Sequence, residues 1–434
     1  MTIFPGKSAR AIGTFILLAA ALPWAPLPRR FAGIDGRGFL AAFALPFPKQ
    51  QAPTVKVAAP PIKIEAVKPP PPNLTIPPGS LDAFFAALRA GRTVRVLHYG
   101  DSPTTADSIT SDVRRILQAR FGDAGHGFLL IAKPWAWYGH NGVTLDAKGW
   151  KIEPASQARA PDGIHGLGGV SFRGETDAVS RVTLPDAHHT GAVVYYLAQP
   201  DGGTFTVTAG EETLAEINTA ADEKKPGFAE FPLHDGTKTI ELRVTSGRVR
   251  LFGYRFDKDR PGIEYSSLGI NGAQVQMIVR SFETGQWTAA LEHENPDLVV
   301  LNYGTNESIY PAYIEKEYPD ELRTVIGRIR KALPHASLLL MSPMDRGVME
   351  DGEIATPPEL ETLIGVQRKI AAETGCAFFN TFEAMGGAGT MGRWYREQPR
   401  LVSADFIHPL PQGAAKVGAL FAGGLIQAYE DSGK

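Results

Sequence analysis

The chain has 434 residues, with 44 Lys and Arg against 46 Asp and Glu, and a formal net charge of −2. That length can hold more than one domain with its own core, and the charge balance lacks the basic excess that marks a nucleic-acid binder. A single cysteine, Cys376, excludes an internal disulfide and a cysteine-rich metal centre. In the apolar run C-A-F-F-N it reads as a buried strand residue.

At the N-terminus, Lys7 and Arg10 precede an apolar run from Ala11 to Leu22, with small residues at Ala19, Ala20 and Ala21 and a breaker at Pro23. This is the layout of a secretory signal. An uncleaved anchor is the alternative, extended by Trp24 and Leu27 with Arg29 and Arg30 beyond, although the run falls short of the roughly 20 apolar residues a spanning helix prefers. Either way the expectation is export to the periplasm or cell envelope, the second with a tether to the inner membrane. Residues 1–30 are assigned to this segment and 31–79 to a linker. The linker contains Pro69-Pro70-Pro71-Pro72, and such a stretch prefers extended polyproline II and acts as a spacer.

Ser80 is placed to cap a helix through Leu81, Phe84, Phe85 and Leu88. From Val94 to Arg120 the chain reads as a short buried strand, the turn Gly100-Asp101-Ser102, and a helix facing the core through Ile109, Val113, Ile116 and Leu117. Gly122 to Trp150 is rich in glycine and aromatics and reads as loop. Its Trp135, Trp137, Tyr138 and His140 either pack between domains or form a platform for sugar rings. From Val170 to Asp257 the period becomes two, as in Ile240, Leu242 and Val244, with turns at Asp201-Gly202-Gly203 and Asp235-Gly236, which predicts an inserted antiparallel β-sandwich. His188-His189 reads as a turn pair, since no third ligand is spaced to join it in a metal site. Beyond Gly262 helices (about 273–292, 312–333, 358–374 and 411–429) alternate with strands (about 297–302, 337–341 and 376–380). Strands alternating with helices predict an α/β protein with a three-layer α/β/α domain, split into residues 80–140 and 261–434 by a β-domain over 141–260.

A serine at the carboxyl end of a strand lies where ligands collect in open α/β sheets. Its hydroxyl needs an imidazole to take its proton and a carboxylate to orient that imidazole. Asp405 and His408, in S-A-D-F-I-H-P-L-P-Q-G just before a helix that Pro411 can open, supply both. Between these ends lie L-G-I-N-G-A-Q (Leu268 to Gln274) and V-V-L-N-Y-G-T-N-E-S (Val299 to Ser308), turns that offer a backbone N–H and a side-chain amide to an oxyanion. Asp345 reads as a loop cap, with substrate contact as the alternative, and Asp101 and Glu307 read as turn-stabilising residues rather than catalytic acids. Tyr303 and Tyr310 flank the Asn306 turn.

G-D-S at Ser102, the glycine-bearing turn at Gly272, G-T-N at Gly304 to Asn306, and D-F-I-H at Asp405 to His408 resemble, in order, the four blocks of the SGNH (GDSL-type) hydrolases. The resemblance implies a flavodoxin-like hydrolase domain without a cofactor or metal. It implies Ser102 as nucleophile, His408 as base and Asp405 as its orienter, with the Ser102 N–H, the Gly272 N–H and the Asn306 amide forming the oxyanion hole. The D-S-P-T-T-A-D segment, its continuation from Arg114 to Phe128, the L-G-I-N-G-A turn and G-T-N-E resemble the bacterial peptidoglycan O-acetylesterases of this family. That subgroup implies a jelly-roll, carbohydrate-binding character for the β-domain, with a purely structural lid as the alternative. Two positions depart from the pattern: Glu307, where many members carry Asp, and Pro103, where the subgroup often has histidine. The sequence thus points to an exported serine esterase removing O-acetyl groups from an envelope glycan, with peptidoglycan as the expected substrate and partner and no nucleic acid. An O-acyltransferase on the same residues and a non-enzymatic wall-glycan-binding protein stay open as alternatives.

Overall fold

Buried apolar runs build the central sheet of the protein. In a computed structural model, which describes residues 73–156 and 160–433, five parallel strands form it: β1 (Thr93–Gly100), β2 (Gly262–Gly269), β3 (Leu298–Asn302), β4 (Ser337–Met341) and β5 (Ala377–Phe379). Their spatial order is β2-β1-β3-β4-β5, with Leu74–Thr75 added antiparallel at the outer edge of β5. This is the flavodoxin-like order, in which the crevice at the carboxyl ends of β1 and β3 is the topological switch point. Alternate residues point to opposite faces. Val94, Val96, Leu298 and Val300 pack in one buried cluster with Val113, Leu117, Val417 and Phe421. Leu97, Tyr99, Val299 and Leu301 face the other cluster with Trp287, Leu322, Val325 and Leu363. Helices Asp82–Arg89, Thr110–Phe121 and Pro411–Asp431 therefore cover one face, and Thr284–Glu294, Tyr318–Ala332 and Pro358–Thr374 the other.

The inserted segment contributes eight strands to a nine-stranded antiparallel set, and Gly125–Leu129 is the ninth. Two long strands, Val170–Thr183 and Arg248–Asp257, change partners along their length: the first pairs with Thr239–Ser246 through Val179–Thr183 and with the second through Phe172–Glu175. Such switching turns the corner of a layered β structure.

Several predicted boundaries are corrected. Gly125–Leu129 is a strand rather than loop, because it pairs with Arg248–Asp257 from more than a hundred residues away. The long helix expected over 273–292 is two, Gln276–Ser281 and Thr284–Glu294, divided where Phe282 turns extended and Glu283 caps the second through Gly285 N and Gln286 N. The helix over 312–333 is likewise Pro311–Lys316 and Tyr318–Ala332, with Pro319 in the first turn of the second. Ser80 does not cap its helix; Leu81 holds the cap position, and the Ser80 hydroxyl is buried without a partner. Trp135, Tyr138 and His140 are buried, and Trp137 is exposed. The signal or anchor segment and most of the proline-rich linker lie outside the described residues. Among the described residues no helix is long and apolar enough to cross a membrane.

Candidate active site

Strand β1 ends at Gly100, Asp101 is buried, and Ser102 opens the short helix Ser102–Thr105. That helix lies against the end of β2: a Cβ on Gly269 would come within 2.0 Å of Thr105 N. Gly269 thus provides room under the serine turn. Gly272 has φ +68°, nothing within 4 Å of where its Cβ would be, and an exposed position. Of the two glycines, Gly272 is the one whose backbone borders open space.

The C-terminal loop delivers the other partners. Asp405 Oδ1 accepts from Ser403 Oγ, Ile407 N and His408 N, the last two at 2.9 and 3.0 Å, while Ser403 N donates to His408 O at 2.9 Å. Phe406, at φ +60°, makes the sharp turn and is held by Gly347 N, which donates to Phe406 O at 2.8 Å. The outcome is a linear array: Ser102 Oγ lies 2.8 Å from His408 Nε2, and His408 Nδ1 lies 2.7 Å from Asp405 Oδ2. An acceptor carboxylate at Nδ1 assigns the proton to that nitrogen and leaves Nε2 to accept from the serine. Partial burial pulls the Asp405 carboxyl upward, but the Ser403 hydroxyl, the two backbone N–H groups and His408 hold it down to about 2. It is a permanent anion at neutral pH. The Asp405 and His408 side chains are close to half exposed, which leaves the array open to a bulky substrate.

Two loops at the same edge of the sheet, after β2 and β3, are laced together. Asn306 Nδ2 donates to Ala273 O at 2.9 Å, and Gln274 Nε2 donates to Asn306 O at 3.0 Å. The fully buried Glu307 accepts from Gly304 N at 3.0 Å through Oε2 and from Val275 N at 2.7 Å through Oε1. The Asn306 amide keeps a second N–H for another acceptor. Burial raises the Glu307 carboxyl to about 8 against the pull of these N–H groups. Asp101 is raised to about 6 by burial, opposed by a hydrogen bond from the Thr305 hydroxyl and by the nearby His408.

The sequence-predicted residues separate by place. Ser102, His408 and Asp405 are in hydrogen-bonded sequence, and the turns carrying Gly272 and Asn306 are bonded to each other. Asp345 accepts from Thr356 Oγ1 at 2.7 Å and Met391 N at 2.8 Å and so fixes its own loop. Tyr303 is buried and Tyr310 exposed. The reach of Glu307 across to Val275 was not visible in sequence, which suggested only its local turn. Arg346, a buried cation in the S-P-M-D-R-G turn after β4, was missed, although a basic residue beside a buried strand end was the available signal.

A cavity of about 560 Å³ opens elsewhere, between helix Thr110–Phe121 and the β-domain, lined by Arg114, His126, Asn141, His189 and Lys258 among others; no triad residue lines it. Near it, Asp107, His126 and His140 bring one ligand atom each to within 4.8 Å of one another. The Asp107 carboxylate, however, already accepts from Arg114 Nη1 and Nη2, Thr110 Oγ1 and Asn141 N. The Asp107 oxygens are thus already taken, by a guanidinium among others, and the cluster fits a structural ion pair.

The parallel order, the serine at the switch point and the Ser–His–Asp geometry define a serine hydrolase of the three-layer α/β/α class. Residues 239–416, which include the turns of Gly272 and Asn306 and the Asp405–His408 loop, match the GDSL-like lipase/acylhydrolase family. The match spans about two fifths of the chain and, with the array completed by Ser102, supports a serine esterase of the kind that family contains. Among solved structures it is similar to a peptidoglycan O-acetylesterase, at 22% identity over 83% of this chain and 99% of that one, with a TM-score of 0.72. It also matches a Bacillus subtilis protein at 14% identity over 65% of this chain and 90% of that one (TM-score 0.33). A third match is an acetylxylan esterase from Geobacillus stearothermophilus at 22% identity over 38% of this chain and 73% of that one (TM-score 0.29). By sequence, no curated protein matches it.

Proposed function

We propose that the protein is an exported carbohydrate O-acetylesterase that removes O-acetyl groups from a cell-envelope glycan, with peptidoglycan as the substrate. The observation that carries the chemistry is the array from Ser102 Oγ through His408 to Asp405, at 2.8 and 2.7 Å. Ser102 Oγ attacks the acetyl carbonyl as His408 Nε2 takes its proton, giving a tetrahedral oxyanion. The oxyanion is held by the N–H groups of Ser102 and Gly272 and by the free N–H of Asn306. Collapse breaks the ester C–O bond, and His408 returns the proton to the departing sugar oxygen, leaving acetyl-Ser102. His408 then deprotonates a water that attacks the acetyl-serine, and acetate leaves as the serine regains its proton. Asp405 keeps the imidazole in the reactive tautomer and offsets its transient positive charge.

The choice of glycan is supported by the fold shared with a peptidoglycan O-acetylesterase along nearly the whole of that structure and by the half-exposed array, which suits a polymer. Export is supported by the Lys7 to Pro23 pattern, and a jelly-roll, sugar-binding β-domain belongs to the same proposal. The test is acetate release by the full chain from O-acetylated peptidoglycan, beside acetylxylan and with Ser102→Ala as control. Release from peptidoglycan that vanishes in the variant supports the assignment. Release from acetylxylan alone moves the substrate to another glycan, and acetyl transfer to an added glycan in place of acetate release makes the protein a transferase.

A further inference from the structure

Arg346 lies on the turn after β4, at the carboxyl edge of the sheet, and is only 9% exposed. The single hydrogen bond of its guanidinium among the described residues runs from Nη1 to Ser308 Oγ at 3.2 Å, and Nε is buried without a partner. No carboxylate among the described residues forms an ion pair with it. The adjacent Asp345 spends its oxygens on Thr356 and Met391, and Glu359 reaches it only through space. Desolvation, only partly offset by Glu359, holds the guanidinium below its ordinary range. Yet the turn is tightly placed. Ser308 is two residues from Asn306, and its own N–H donates to Gly304 O; Gly347 N donates to the carbonyl of Phe406, two residues from His408. The turn that carries Arg346 is therefore bonded to both neighbours: its guanidinium to the turn of Asn306, and the backbone of the next residue to the loop of His408.

A buried cation without a counter-ion is costly, and guanidinium is the side chain best shaped to take a carboxylate through two parallel hydrogen bonds. We propose that Arg346 receives a carboxylate of the substrate, so that the esterase prefers acylated sugars bearing an acid group close to the ester. This rests on the reading of the protein as an esterase of an envelope glycan. The muramic acid unit of peptidoglycan from which the stem peptide has been removed, leaving its lactyl carboxylate free, is the sugar of that chemistry. Arg346 is a substrate-selecting residue in this scheme and takes no part in proton transfer.

The test uses the full chain hydrolysing a neutral aryl acetate, with N-acetylmuramic acid and its N-methylamide as inhibitors. A charge-assisted pair predicts that the acid inhibits about 10- to 100-fold more tightly than the amide. That ratio should approach one in Arg346→Gln and be partly kept in Arg346→Lys, which retains charge but not the fork. A purely structural Arg346 would lower both inhibitors' affinity together and leave the ratio unchanged. A wild-type ratio near one, or a ratio that survives Arg346→Gln, overturns the assignment, and the wild-type ratio alone is decisive should the variant not fold. Acetate release from O-acetylated peptidoglycan, measured in parallel, separates the two claims. No release with the ratio intact removes the glycan reading and keeps the carboxylate site, whereas release with a ratio of one does the reverse.

Discussion

Replacing Glu307 by Gln changes one atom of a buried strap. In the native site Oε2 accepts from Gly304 N and Oε1 from Val275 N. A carboxamide can accept at only one of these places, and its NH2 group would point donors at the other backbone N–H. That N–H, fully buried with the rest of the strap, would then lack an acceptor, at about 1–3 kcal/mol. The lacing between the Gly272 and Asn306 turns would loosen at one of its bonds, and a shift of about 1 Å in catalytic groups costs on the order of 100-fold in rate. We expect kcat on an aryl acetate to fall about 10- to 100-fold with KM within about twofold, because the donors in question act on the oxyanion more than on the ground-state ester. Glu307→Asp, one methylene short of spanning both turns, should fall between. Steady-state kinetics with thermal melts will decide: a variant melting well below wild type with wild-type kcat would show that the strap stabilises the fold without positioning the donors, and the reasoning would fail.

Asn306→Ala should reduce kcat by about 100- to 1000-fold on small acetates, the usual cost of one oxyanion donor; a loss under tenfold would remove Asn306 from the hole. Asp101 is ionised above about pH 6 in the folded protein and above about 3.8 when unfolded, so between those values the native state holds the extra proton and stability falls as pH rises. Asp101→Asn mimics the neutral form, and its melting temperature relative to wild type should therefore increase from pH 4 to pH 7, by an amount corresponding to on the order of 3 kcal/mol at most; a pH-independent difference would contradict the shift. Asp107→Ala leaves Arg114 buried and unpaired, which typically costs about 3–5 kcal/mol, and denaturant titration should show a loss of that order.

The blocks that the fold brings together were legible because each is local: a serine on a strand-to-helix turn, an Asp three residues before a His, an amide after a glycine. Buried apolar runs likewise revealed the parallel strands, since strands covered on both faces leave little alternation to misread. What stayed hidden is non-local. Glu307 reads as a turn acid until Val275 is seen beside it. Gly125–Leu129 reads as loop because its partner strand begins at Arg248. The burial of Arg346 shows only when Ser308 is seen beside its guanidinium. Helix breaks at Phe282 and Glu317 were blurred for a different reason: the apolar periodicity continues across them, and the capping residue Glu283 is outside the usual set of N-cap side chains.

The account stands on Ser102 as the nucleophile activated by His408. Treating the full chain with a sulfonyl fluoride and mapping the adduct by peptide mass spectrometry tests this directly. A single sulfonyl group on the peptide containing Ser102, formed in step with loss of esterase activity and absent in His408→Ala, is the predicted result. Modification of a different residue in step with inactivation, or hydrolysis that persists with Ser102 fully labelled, would contradict it.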